Sequence, residues 1–271
     1  MLLDIVRLNI ARYRANPVII VPPLIALVFE LVIIPLIGLP GTDVSTPELV
    51  SYALPGSGVL FLSLAISFLT LIGQASMASR VVLNGKAGLR DWVQGVKRYS
   101  TKVLGVCAIY LGVLVLSSIP MMIMYWYVML AQLPSLMGAY DPEKPPSPPI
   151  IPPSINIATN WTALIFTSVI TAVVYLWLAP VFFEDRGVFT SIRAGNQALK
   201  KNWRTFLGFV ALFITVSGAA NLIENLPTYL GTSIQRSGYM VLTHVTSIVV
   251  KTIFSPLWFL IALTIYRELP R

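Results

Sequence analysis

The sequence predicts an all-α, polytopic membrane protein: six transmembrane helices in three parallel hairpin repeats, with amphipathic helices at the cytoplasmic interface. Three observations predict it. The 271 residues are 56% apolar and only 11% charged, against about 25% charged in an ordinary globular domain, and the mean hydropathy is +0.79. A soluble protein would spread its charges along every helix, whereas here they cluster between apolar runs. A short basic, amphipathic stretch also runs straight into an apolar one three times, at residues 10–17, 96–103 and 199–206. Recurrence of such a unit is the mark of a repeat architecture.

The apolar segments fall at about 17–40, 57–83, 103–131, 158–183, 206–226 and 241–266. Each reaches the ~20 residues needed to cross ~30 Å of hydrocarbon as a helix. The first is too long for a cleavable signal peptide and no small-x-small site follows it. Pro22, Pro23, Pro35, Pro120 and Pro256 are expected to kink their spans.

Charge orients the bundle. Apart from Lys144, Arg236 and Lys251, all of the 19 lysines and arginines fall on one side of the spans. Cytoplasmic loops are enriched in these residues, so the expectation is a multi-pass protein of the cell membrane with both termini cytoplasmic. The net charge of +8 then reflects topology and attraction to anionic lipid, and nucleic acid is not indicated. The outer loops carry Asp43 and Glu48, then the proline-dense run 141–153, which reads as a stiff connector. Asn160-Trp161-Thr162 matches a glycosylation acceptor, although Trp161 reads better as an interfacial anchor.

Each repeat, at about 1–85, 86–185 and 186–271 of one membrane domain, consists of a surface helix, an outward span, an outer loop and an inward span. In the middle surface helix Leu89, Trp92, Val93, Val96 and Tyr99 oppose Arg90, Asp91, Gln94, Lys97 and Arg98. In the third, Val188, Phe189, Ile192 and Leu199 oppose Arg193, Asn196, Lys200 and Lys201; at the N-terminus, Leu3, Val6, Ile10 and Tyr13 oppose Asp4, Arg7 and Arg14. Gly88 and Gly187 precede the second and third, where a sharp turn is needed. Any six-span protein with positive loops shows some likeness between its junctions, so convergence stands beside homology for these copies. Arg12, Arg14, Lys97, Arg98, Lys102, Lys200, Lys201 and Arg204 are the candidates for docking lipid headgroups or a partner.

The run Ala179-Pro180-Val181-Phe182-Phe183-Glu184-Asp185-Arg186-Gly187, residues 194–202 and Phe206-Leu207-Gly208 resemble a poorly characterised six-helix integral membrane family of archaea and bacteria, related to the membrane domain of some glycerophosphoryl diester phosphodiesterases. Residues 73–88 with Trp92-Val93 look similar to the earlier half of that pattern. The resemblance covers most of the chain in layout and implies six spans. It carries over no catalytic residue, because the phosphodiesterase chemistry of such fusions lies in a separate soluble domain. A second resemblance, of residues 12–17 to exporter permeases that work with a nucleotide-binding subunit, lacks the acidic and glycine-threonine signature such permeases have after the second span.

Ionisable groups inside a membrane are expensive and point to function or to structural pairing. Glu30 in the first span and Lys251 in the sixth stand at similar depth, each about 14 Å below the outer surface at ~1.5 Å per residue. An intramembrane ion pair is expected between them if the hairpins close into a ring, as a structural clasp or as an ion or proton site. Asn221, Glu224 and Asn225 line a vestibule or cap a helix, and Gln74 is placed to hydrogen-bond across helices. Cys107 and His244 are the single cysteine and histidine, so no disulfide and no zinc cluster is expected, and no cofactor or metal. No G-x-S-x-G, H-E-x-x-H or phosphate-binding loop occurs, and the chain does not read as an enzyme. Two readings of function remain. One is a transport or translocation component, pore or permease-like, working with a cytoplasmic ATPase or other subunit. The other is a non-transporting scaffold that organises lipids or partner proteins. An oligomer is compatible with both.

Overall fold

The computed structural model describes residues 1–36, 46–138, 153–229 and 237–268. Side chains near these gaps, including those of Glu30, Glu224, Asn225 and His244, lie outside the described residues, as do Asp43 and the run 141–152. The described chain is helical throughout its elements, with no strand among them. In order these are α1 (Leu2–Ala15), a 3-10 turn (Pro17–Ile20), α2 (Val21–Leu36), α3 (Thr46–Asn84), α4 (Leu89–Gly138), α5 (Pro153–Glu184), α6 (Val188–Lys201), α7 (Trp203–Tyr229) and α8 (Ser237–Glu268).

Five of the described helical segments are long and apolar enough to cross a membrane: Leu62–Asn84, Leu89–Pro120, Thr159–Glu184, Trp203–Ile223 and Val245–Glu268. The protein is therefore a multi-pass membrane protein by length and composition. The first apolar segment contributes a shorter described stretch, Pro17–Phe29. Pro22 and Pro23 stand in the first turn of α2, where the missing N–H groups have no intrahelical acceptor to lose.

One expected element is absent. The middle surface helix is not separate from the span that follows it, because α4 runs unbroken from Leu89 to Gly138. Its counterparts do break, α1 at Asn16 (φ −132, ψ 63) and α6 at Asn202 (φ −117, ψ 29). The matching region of α4 carries Tyr99-Ser100-Thr101, without asparagine, glycine or proline. Ser100 turns its hydroxyl back to the Val96 carbonyl, which satisfies the side chain inside a continuing helix. The exposed face of α1 also differs from expectation: Leu2, Val6, Ile10 and Tyr13 pack inward, while Leu3 is 70% exposed.

Helices α3, α5 and α8 pack on one another and form the centre. Half or more of their apolar windows is buried (50%, 50% and 56%), against 11% for α4 and 28% for α7. They end together. The Tyr266 hydroxyl donates to Glu184 Oε1 at 2.8 Å, and the Arg267 guanidinium donates to the Val82 carbonyl. All three therefore point the same way. Each outer helix lies against two central ones: α2 against α3 and α8, α4 against α3 and α5, α7 against α5 and α8. At the common end, α1 packs on α8, the start of α4 on α3, and α6 on α5.

Small residues make these approaches possible, as expected where lipid leaves packing rather than water exclusion to hold helices together. Gly73 of α3 faces the Trp92 indole of α4, and Gly95 faces Ser76. Gly195 of α6 lies against the main chain at Leu176 and the Trp177 ring of α5. Each tryptophan also donates an N–H, Trp92 to the Leu69 carbonyl at 3.1 Å and Trp177 to Asn196 Oδ1 at 2.8 Å.

Candidate functional site

In the half of the bundle away from the common end, α5, α7 and α8 part to leave a cleft of about 380 Å³. Its polar lining comes from Asn160, Thr167, Ser168 and Thr171 of α5, Ser217 and Asn221 of α7, and Lys251 of α8. The α5 set recurs every three, four or seven residues, so the helix presents them on one face. In hydrocarbon such groups must find partners or water. The Thr167 hydroxyl donates to the Ala163 carbonyl at 2.8 Å, and Thr171 shares a 3.3 Å hydrogen bond with the Tyr110 hydroxyl of α4. Between Asn160 and Thr171 the cleft extends for about 17 Å at ~1.5 Å per residue.

Aromatic rings close its floor. Phe213 lines the cleft and stands 5.1 Å from Trp258 and 6.2 Å from Tyr175, ring centre to ring centre. Tyr175 packs 4.4 Å from Phe259, and Phe209 lies against Phe213 and Trp258. Below them Leu260, Ile261 and Leu263 are fully buried. The cleft thus stops part-way through the bundle.

A polar contact joins α3 and α8 beside this core. Ser255 donates to Gln74 Oε1 at 2.9 Å, while Gln74 Nε2 is buried without a partner among the described residues. Gln74 does bond across helices, as its position suggested.

The common end of the helices is built from charge pairs and main-chain bonds. In the α5–α6 turn Asp185 takes a left-handed backbone (φ 53). It binds Arg98 at 3.0 Å and Lys102 at 2.6 Å, both from α4, and these two donors hold its carboxyl below the usual range. The α3–α4 turn passes through Gly85 (φ 76). Asn16 ties α1 to that turn, donating to the Gly85 carbonyl at 3.1 Å and accepting from the Ala87 N–H at 3.3 Å. Arg12 donates to Thr264 Oγ1 at 3.1 Å and Glu268 at 3.0 Å. Thr264 in turn donates to the buried Asn9 at 3.0 Å.

The candidate residues of the sequence therefore separate. Arg12, Arg98 and Lys102 are engaged with acidic partners inside the protein, whereas Arg14, Lys97, Lys200, Lys201 and Arg204 are exposed. Arg204 lies over the Trp203 ring at 5.5 Å. Helices α2 and α8 do pack together, but the Glu30 side chain, and with it the pair with Lys251, lies outside the described residues. Lys251 lines the cleft with α5 and α7. Asn221 lines it too, while Glu224 and Asn225 lie outside the described residues.

The cleft as a whole escaped the sequence reading. Its signal was the hydroxyl stripe of α5, which polarity summed over the whole helix conceals. Nor did the sequence single out Asp185 as the point where two cations converge. No family model matches this chain, and no curated protein or solved structure matches it either.

Proposed function

We propose that this protein is the membrane component of a transport or translocation system, and that the cleft between α5, α7 and α8 is where a polar solute enters. The observation that carries the reading is one cleft gathering Asn160, Thr167, Ser168, Thr171, Ser217, Asn221 and Lys251 in an otherwise apolar bundle. Lipid penalises each such group, and a purely structural bundle has no reason to collect them around open space. The aromatic floor fits a gated or alternating path better than a permanently open pore. Movement of solute past Phe213 and Trp258 requires that these rings shift, which calls for a driving partner or an ion gradient.

Topology and repeats belong to the same proposal. Three central helices, each with one outer span lying in the groove towards a neighbour and one amphipathic segment packed at its end, are what three parallel hairpin repeats would build. The concentration of lysine and arginine at that end supports a cytoplasmic assignment for both termini in a cell membrane. The kinship with the six-helix membrane domain of glycerophosphoryl diester phosphodiesterases remains a proposal carried by the residues around Pro180 and Asp185.

Reconstitution tests the function. Proteoliposomes should take up members of a panel of small polar and anionic solutes. Thr171→Leu with Ser217→Leu, which removes hydroxyls without touching the charged end, should lower the rate about tenfold or more, taking one or two lost hydrogen bonds to a charged solute. Absence of flux for every solute, with and without a co-purifying ATPase, would leave the scaffold reading in its place.

A further inference from the structure

At the common end, α3, α4 and α5 enclose a second cavity of about 200 Å³, and we propose that it binds the phosphate-ester headgroup of a membrane phospholipid. Its wall brings in two guanidinium groups, Arg80 from α3 and Arg98 from α4. Lys102, one turn further along α4, meets the same Asp185 carboxylate as Arg98. The lining itself balances two cations against two carboxylates, Asp91 and Asp185, and Lys102 beside it leaves the cluster with one positive charge in excess.

Arg80 is the least engaged cation of the cluster. Its Nε stands 3.7 Å from Asp91 Oδ1, an ion pair beyond hydrogen-bond range, while the other Asp91 oxygen accepts from the Gly88 N–H at 2.9 Å. Among the described residues Arg80 makes no hydrogen bond, so its planar fork is available to a phosphate oxygen pair. The lining also includes the apolar Leu83, Phe182 and Phe183. A free phosphate has nothing to place against these side chains, whereas a phospholipid has its glycerol and the roots of its chains.

Depth agrees. The spans of α3 and α5 end at Asn84 and Glu184, so Arg80, Leu83, Phe182 and Phe183 all lie within about one turn, ~5 Å, of a span end. That is the boundary between headgroups and hydrocarbon. The occupant carries a singly charged phosphodiester, matching the single excess positive charge. Bound there, it would bridge α3 to α4 and α5 at the turn where the central helices end.

The full chain in a nonionic detergent can be titrated with short-chain phosphatidylglycerol and, separately, with inorganic phosphate, reading bound lipid by native mass spectrometry and stability by thermal unfolding. The lipid should bind and raise the unfolding temperature, and inorganic phosphate should do neither at equal concentration. Arg80→Gln breaks no hydrogen bond of the protein and should weaken lipid binding about tenfold or more. Gln94→Trp, an exposed lining position, should block the cavity with every ion pair left in place. Lys200→Gln, exposed and elsewhere, should bind as the unsubstituted protein does. Unchanged affinity in Arg80→Gln and Gln94→Trp overturns the site. Equal weakening by Lys200→Gln reduces it to general surface attraction, and inorganic phosphate binding as well as the lipid overturns the lipid assignment.

Discussion

At the residue scale, two glycines face different obstacles. A Cβ at Gly73 would fall 1.5 Å from the Trp92 ring, an exposed-edge side chain on the neighbouring helix. A Cβ at Gly195 would fall 2.8 Å from the Leu176 carbonyl oxygen, which is main chain and cannot rotate away. Overpacking of this kind costs about 1–3 kcal/mol, so both Gly73→Ala and Gly195→Ala should lower stability in detergent by that order. Only the first should be relieved by shrinking the facing tryptophan, by Trp92→Leu but not by Trp177→Leu, because at Gly195 the Leu176 carbonyl stays in place whatever the Trp177 ring does. Thermal unfolding of the single and double variants measures this, and equal relief at both positions would contradict the close approach of α6 to α5. Both glycines were readable as small residues in the sequence. That both face an indole and only Gly195 also meets backbone depended on contacts between helices.

At the scale of elements, the turns decide how the helices meet. Asparagine ends α1 and α6, while Tyr99 followed by Ser100 in the matching stretch lets α4 continue, so similar junctions yield two different structures. The α5–α6 turn is further fixed by Asp185, whose carboxylate binds Arg98 and Lys102 of α4. These donors lower its pKa below the ordinary 3.8. A carboxyl lowered on folding contributes stability that is fully present above its unfolded value and is lost as pH falls through its folded one. Asp185→Asn keeps the shape and tolerates the left-handed backbone, so it isolates the charge. The variant should unfold at a slightly lower temperature than the parent from pH 8 down to pH 5, by no more than an exposed pair provides. The difference should shrink below pH 3.8. A gap that persists undiminished into acid would mean that the charge is not what holds the turn.

For the whole molecule, the arrangement of three central helices and three outer ones gives the two ends opposite characters, a charged end rich in ion pairs and a half that opens into a polar cleft. Orientation can be checked directly in a Cys107→Ser background. Lys200→Cys should react with a membrane-impermeant maleimide only when the inner face is exposed, and Lys144→Cys only from outside; the reverse pattern would invert the proposed topology. Much of this scale was legible beforehand, because a run of about 20 apolar residues has few alternatives to a helix in a bilayer. Charge placement and helical periodicity likewise identified the amphipathic segments without any contact being known. What the chain could not announce was partnership. Thr167, Thr171, Ser217 and Lys251 are scattered over α5, α7 and α8 and share one cleft only because those helices leave a space between them. Arg80 and Asp91, like Arg98 and Asp185, belong to different helices and meet through turns at Gly85 and Asp185. Sequence by itself determined which segments are helical, which are apolar and where the cations lie, since these follow from local composition and period. Only the tertiary structure decided which spans are central, where polar groups converge and which cations are already paired, since those follow from the packing of helices far apart in the chain.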